Sequence, residues 1–163
     1  IREGERVLRD EHGMGSYVVA WQKDAGGAKD VVINEVDIDN FIRAKGAIFS
    51  ATQTMLSSLG FDASVIERVY VAGGIGSGIN MKNAVTIGMF PDIPLDHFHY
   101  IGNSSQTGAY AMLLSSQARE KVFELGRSMT YLELSNEPSY MDAFVAACFL
   151  PHTDGSLFPS VDF

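Results

Sequence analysis

The chain has 163 residues, 46% of them hydrophobic, and a formal net charge of −8. Its length suits one domain or one lobe of a larger protein, and its composition can fill a sizeable core. The negative charge argues against binding nucleic acid or an anionic membrane. No apolar run approaches the ~18 residues that a membrane helix needs, and the single cysteine, Cys148, forbids an internal disulfide and a cysteine-ligated metal or iron–sulfur site.

Arg2 to Gly15 is polar and poorly patterned, and is expected to be irregular. Ser16 to Gln22 reads as a strand. Lys23 to Gly27 supplies turn residues, and Asp30 to Asn34 reads as a second strand, so the two predict a hairpin. Asp37 then offers an N-cap for a helix that runs to about Leu59 and stops at Gly60, with Asp39 in its first turn. Phe41, Ala44, Ile48, Thr52, Met55 and Leu59 recur at spacings of three and four, so they form an apolar stripe on one face. Gly46 costs roughly 1 kcal/mol against alanine inside such a helix, which suggests that something packs close to it.

Val69 to Ala72 reads as a buried strand. Gly73, Gly74, Gly76 and Gly78 follow it within six residues. Glycine takes φ > 0 and carries no Cβ, so a ligand can approach the main chain closely there. Met81 to Ile87 predicts a short helix ended by Gly88, and strand, glycine turn and helix together suggest a nucleotide-type ligand at the carboxyl end of a sheet. The two common phosphate fingerprints are absent: no Lys-Ser/Thr follows the last glycine, and the spacing is G-G-x-G-x-G rather than G-x-G-x-x-G. From pattern alone, a tight turn that merely closes a strand–helix unit is an equal reading.

Pro91 to Leu95 is a rigid loop, and Phe98 to Ile101 a short strand. Gly102-Asn103-Ser104-Ser105 leads into a helix from about Gln106 to Leu114. Ser115 or Ser116 is placed to cap another, from Gln117 to about Leu125, with Gly126 near its end. Tyr131 to Leu134 reads as a strand, and Ser139 is placed to cap a last helix, Tyr140 to Phe149, which Pro151 ends. Residues 152–163 form a loop-like tail. There is no internal repeat, and the element order predicts an α/β fold.

Three strings in this order resemble the carboxy-terminal part of the reductive activators of corrinoid proteins. They are Val-Ala-Gly-Gly-Ile-Gly (71–76), Ala-Val-Thr-Ile-Gly-Met-Phe-Pro-Asp-Ile-Pro-Leu (84–95) and Ile-Gly-Asn-Ser-Ser-Gln-Thr-Gly-Ala (101–109). Arg43 to Ile48 fits the same pattern, and the similarity covers roughly Asp37 to Pro151. The resemblance implies the second lobe of a domain like the actin, sugar-kinase and heat-shock-chaperone ATPases (the ASKHA, or ribonuclease H-like, architecture): a mixed sheet flanked by helices, here with an N-terminal hairpin, forming a single domain over residues 1–163. It implies ATP or ADP as ligand, with magnesium in the full protein. It also implies a [2Fe–2S] domain elsewhere in the parent protein, and reduction of Co(II) corrinoid to Co(I) in a partner that serves methyl transfer. The missing cysteine cluster and the missing Asp-x-Gly-Thr phosphate loops would lie before Ile1, so the chain is expected to be an excised, cytoplasmic fragment without ATP turnover of its own. A kinase-like ASKHA lobe and a partner-docking domain with a vestigial nucleotide site are the alternatives, and a homodimer is compatible with each.

On this resemblance Gly73, Gly74, Gly76 and Gly78 would meet adenosine. Lys45 would reach the ribose beside a bare patch at Gly46, and Asn103 and Ser104 would either touch ligand or cap a helix. Arg43 either stacks on a base or pairs with Asp39. His97 and His99 lie on one face with no third metal ligand obvious, Cys148 reads as a small core residue, and no Ser/His/Asp set is identifiable. No residue is assigned a catalytic role.

Overall fold

A computed structural model describes residues 4–162. The chain divides into two compact units, with the boundary between Lys45 and Gly46.

The first unit is built on a three-stranded antiparallel sheet in the order β1-β2-β3, from Val7–Arg9, Gly15–Ala20 and Val31–Asn34. The expected pairing of the second and third strands is present, with Tyr17 opposite Ile33 and a bulge between Val18 and Ala20. The region before Gly15 is not irregular. Val7–Arg9 pairs with β2, because a turn that local polarity hides is tied together by Asp10. The Asp10 Oδ1 accepts from the amides of His12 and Met14, and Gly13 takes φ 80°. Between β2 and β3 the expected turn residues form one helical turn, α1 (Gln22–Ala25), closed by Gly26 at φ 66°.

The long helix α2 runs over Glu35–Ser58. Its start corrects the expected cap. Asn34 Oδ1 accepts from the Asp37 amide at 2.8 Å while Asp37 Oδ2 accepts from the Asn34 amide at 3.0 Å. Asp37 is therefore the third helical residue of a reciprocal capping box rather than the cap itself. Gly60, at φ 75°, stops the helix as expected.

In the second unit, the residues of α2 that are buried are Gly46, Phe49, Ser50 and Thr54. The apolar stripe is on the less buried face: Phe41, Ile48, Met55 and Leu59 are 41–67% exposed. The reason lies in side-chain size. Gly46, Ser50 and Thr54 follow one another at intervals of four, so they stack in a shallow row along the helix. That row admits α6 (Tyr140–Ala147): a Cβ on Gly46 would lie 3.0 Å from Cys148 Sγ and 3.4 Å from the Ala147 carbonyl.

The core of this unit is Phe49, Val85, Ala147 and Phe158, with Phe90, Phe98, Leu157 and Val161 packed against it. Three of these eight belong to residues 152–163, so the tail is loop-like as expected in its backbone, with one 3-10 turn among its described residues, yet it contributes to the core. Phe158 is fully buried, with its ring centroid 5.2 Å from that of Phe49. The Ser160 amide and hydroxyl both donate to the Asp92 carboxylate at 2.7 Å, which pins the tail to the Pro-rich loop. The Ser156 hydroxyl and amide do the same for Asp154 and hold its carboxyl below the usual carboxylate range. Gly88, at φ 72°, lies so close to the Pro151 carbonyl that a Cβ would overlap it.

A two-stranded parallel sheet joins β4 (Val69–Val71) to β5 (Phe98–Tyr100), with Val71 opposite Tyr100. β4 is half-buried rather than buried, and Tyr70 is exposed. The remaining helices are α3 (Met81–Thr86), α4 (Ser104–Leu114) and α5 (Ser116–Ser128), close to their expected spans, with Gly126 inside α5. Ser115 caps α5 through its Oγ, whereas Ser139 precedes α6 without a side-chain cap bond. The expected strand at Tyr131 to Leu134 is absent. Glu133 instead accepts from Ser135 and starts a short 3-10 turn, so a local acceptor outcompetes strand pairing there.

Replacing Phe158 with alanine should cost about 3–5 kcal/mol of stability, the usual range for a buried aromatic. Urea unfolding of the Phe158→Ala variant measures this, and a loss below 1 kcal/mol would mean that the tail is not core.

Candidate functional site

Two turns meet at the carboxyl end of the parallel pair. β4 runs into Gly73–Gly78, and β5 runs into Gly102–Asn103 and α4. The pairing continues past both strands: the Ile101 amide donates to Val71 O at 3.0 Å, and the Gly73 amide donates to Gly102 O at 2.9 Å. Gly73 and Gly102 both have positive φ, 92° and 69°. In parallel sheets the strands point the same way, so their following loops cluster on one edge.

The four glycines of the first turn do different jobs. Gly73 is committed through both backbone groups, since its carbonyl also accepts from the Tyr100 hydroxyl at 3.0 Å. Gly76 is a packing glycine, because a Cβ there would lie 2.9 Å from both the Tyr100 ring and Val71 Cγ1. Gly74 and Gly78 are exposed, and nothing lies within 4 Å of where their Cβ atoms would be. Gly73 also has open space where its Cβ would be, but it is half-buried and both its backbone groups are bonded, so Gly74 and Gly78 are the positions that combine open space with exposed main chain. A 3-10 turn over Ile75–Gly78 is closed by the Ser77 hydroxyl, which donates to Gly74 O.

Asn103 caps α4: its Oδ1 accepts from the Gln106 amide at 3.2 Å, and the Ser104 amide turns back to Gly102 O. The capping role weighed for Asn103 is therefore filled, and it places the start of α4 next to the glycine turn.

Lys45 is fully buried and partnered. The open patch expected at Gly46 is occupied by Ala147 and Cys148. Arg43 Nε pairs with Asp39 at 2.9 Å, with both side chains more than half exposed. His97 Nδ1 bonds to Ile66 O, and His99 lies against the Tyr70 ring. Among the described residues no group of three or more His, Cys, Asp or Glu side chains is arranged to hold a metal ion.

One cavity of about 230 Å³ lies between Phe49, Leu56, Phe61, Pro91 and Leu157, and none of its lining residues is in the set expected from sequence. Sequence reasoning overlooked Tyr100, which reads only as one residue of the short strand Phe98 to Ile101, whereas the observed strand ends at it. The signal was its position. Two parallel strands that end together put the last residue of β5 beside the first glycine after β4.

The division among the glycines is testable by thermal unfolding. Gly76→Ala should lose about 1–3 kcal/mol, as overpacking does. Gly74→Ala should stay within about 0.5 kcal/mol of the parent, as surface changes do. Equal losses at both positions would mean that the turn is packed differently.

Residues 2–162 match the family model described as the C-terminal domain of RACo, the ASKHA domain. The chain is 27% identical over 136 residues to a corrinoid activation enzyme, RamQ, of Eubacterium limosum, covering 83% of this chain and 23% of that protein. It is 50% identical to a solved reductive activator for corrinoid, iron–sulfur protein, with a TM-score of 0.89, over 96% of this chain and 25% of that one. The chain thus spans about a quarter of the length of these relatives. With a family model matched over nearly its whole length, the chain belongs to the family of RACo C-terminal ASKHA domains.

Proposed function

We propose that this chain is the adenosine-side lobe of an ATP-dependent reductive activator of a corrinoid protein. The observation that carries the reading is the turn after β4. Gly74 and Gly78 leave main chain open at the carboxyl end of two parallel strands, beside the start of α4. A nucleoside can lie against such a backbone because no Cβ keeps it away.

The residues present fit one side of an adenine nucleotide. Gly74 and Gly78 supply contact surface, Gly73 and Gly76 hold its shape, and Asn103 and Ser104 place the α4 terminus beside it. Lys45 and Gly46 belong to this proposal through the resemblance. Their burial assigns Lys45 a partnered interior position and Gly46 a packing one. The phosphate-binding loops of the superfamily are absent from this sequence, so magnesium and the phosphates would be held by residues elsewhere in the parent protein. The single cysteine cannot supply the four ligands of a [2Fe–2S] cluster. Such a cluster would therefore be held by residues elsewhere in the parent protein.

In the parent, one electron delivered to Co(II) would give the nucleophilic Co(I) form. That reduction is uphill for ordinary cellular donors, so nucleotide binding or hydrolysis must be coupled to it. This lobe's part is to bind nucleotide and so bias the conformation of the whole. The partner would be the corrinoid protein of a methyl-transfer system, in the cytoplasm, with homodimerisation as a further property to be measured.

A partner-docking role is the second reading, and the exposed apolar side chains of α4 and α5 favour it. Tyr110, Leu113, Leu114, Phe123 and Leu125 are all more than half exposed, and neither helix has a buried residue. Calorimetry on the intact protein separates the two. The nucleotide reading expects ATP and ADP to bind, and Gly74→Val to weaken them roughly ten-fold or more, since a side chain forced into a contact costs about 1–3 kcal/mol. Binding of the corrinoid partner without any nucleotide binding would favour docking alone.

The chain itself should release no phosphate from ATP above a protein-free blank. Steady turnover that tracks the purified protein would place catalytic groups within residues 1–163 and overturn the assignment of hydrolysis to other parts of the parent.

A further inference from the structure

We propose that Tyr100 is the positioning residue of the glycine turn: its hydroxyl and ring hold Gly73 and Gly76 so that Gly74 presents its open face to an adenine nucleotide. This rests on the nucleotide-binding reading above.

The placement follows from the parallel pairing. Tyr100 is the last residue of β5 and lies opposite Val71, the last of β4, so both side chains project on the same face. From there the phenol reaches across the strand end and donates to the Gly73 carbonyl at 3.0 Å, a bond between residues 27 apart in sequence. The same ring closes on Gly76, where its edge atoms lie 2.9 and 3.1 Å from an ideal Cβ position. One side chain thus grips the turn at two points, on either side of Gly74.

A run rich in glycine needs such a grip. Glycine loses more conformational freedom on ordering than any other residue, and Gly74 and Gly78 have no side chains with which to restrain themselves. The amide of Gly73 is fixed by Gly102 O. Without the phenol, its carbonyl loses the partner that fixes the peptide plane leading into Gly74. The turn would then have to order on binding, and affinity would fall by that cost. Tyr100 is 47% exposed, so it stands at the edge of the open surface while its ring still packs on Gly76.

The test is Tyr100→Phe in the intact protein, which removes one oxygen and keeps the ring. ATP and ADP affinities are measured by calorimetry, thermal unfolding reports stability, and amide hydrogen exchange is followed peptide by peptide. The expected result is a roughly three- to ten-fold loss of nucleotide affinity, as for one neutral hydrogen bond, with faster exchange confined to residues 73–78 and a nearly unchanged melting temperature. Parent-like affinity and exchange in a folded Tyr100→Phe protein would overturn the proposal. So would failure of Tyr100→Phe to fold, since the hydroxyl would then serve the whole fold and not the turn. If the parent protein binds no nucleotide, the functional reading falls on its own. In that case faster exchange confined to residues 73–78 would still support the hold of Tyr100 on the turn, and unchanged exchange would overturn that as well.

Discussion

The pairing of β4 with β5 is the constraint on which the candidate site depends. Each strand has only three residues, and a two-stranded sheet is marginal by itself. The register is therefore reinforced outside the strands. Ile101 and Gly73 add backbone bonds beyond the last paired residues, Tyr100 adds a side-chain bond, and Phe98 packs on Phe90 with ring centroids 5.7 Å apart. A one-residue slip of either strand would put Tyr100 and Val71 on opposite faces. It would also separate Gly73 from Gly102 and dissolve the meeting of the two turns. Parallel strands cannot be joined by a tight hairpin. The crossover that contains α3, Gly88 and the Pro-rich loop is thus part of the same constraint, and it is held by the buried Ala84, Val85 and Ile93.

Features governed by neighbours in sequence were legible. The glycine turn, the stop at Gly60, the cap at Ser115 and the α3–Gly88 junction each follow from backbone rules that act within a few residues, and each lies where those rules put it. The capping box at Asn34 and Asp37 was half legible, because its two members compete for the same role and only the backbone path decides which residue is the cap. Features decided at a distance were not legible. The apolar stripe on α2 is correct as a pattern, yet the pattern does not say which face α6 will choose. The small row Gly46, Ser50 and Thr54 permitted closer approach and prevailed. The tail was illegible for the same reason: Phe158 and Ser160 look like loop residues until Phe49 and Asp92, 109 and 68 positions earlier, supply their partners.

The candidate site shows the same split. Four glycines in a row of six invited one role for all of them. Only geometry sorts them: Gly73 is fixed by its backbone bonds and Gly76 by packing, whereas Gly74 and Gly78 leave main chain exposed. Likewise Gly46 signalled close approach correctly, and the close approach is made by Ala147 and Cys148 of this chain. A helix glycine marks that something is near. It carries no information on whether that thing is a ligand or the next helix.

A glycine-rich surface is useful to a ligand only if it is already shaped. Ordering one residue's backbone costs about 1–2 kcal/mol, so a free six-residue loop would consume much of the energy a nucleoside contact can supply. Here that ordering belongs to folding and not to binding. The positive φ of Gly73 is held at its amide and its carbonyl, Gly76 is wedged against a ring, and Ser77 ties back to Gly74. Gly74 is thereby flanked on both sides by fixed glycines, and Gly78 follows one. Such an alternation makes main chain accessible without making it loose, and it explains why the packing contacts of this turn, which touch no ligand, matter as much to its proposed role as the two positions left bare.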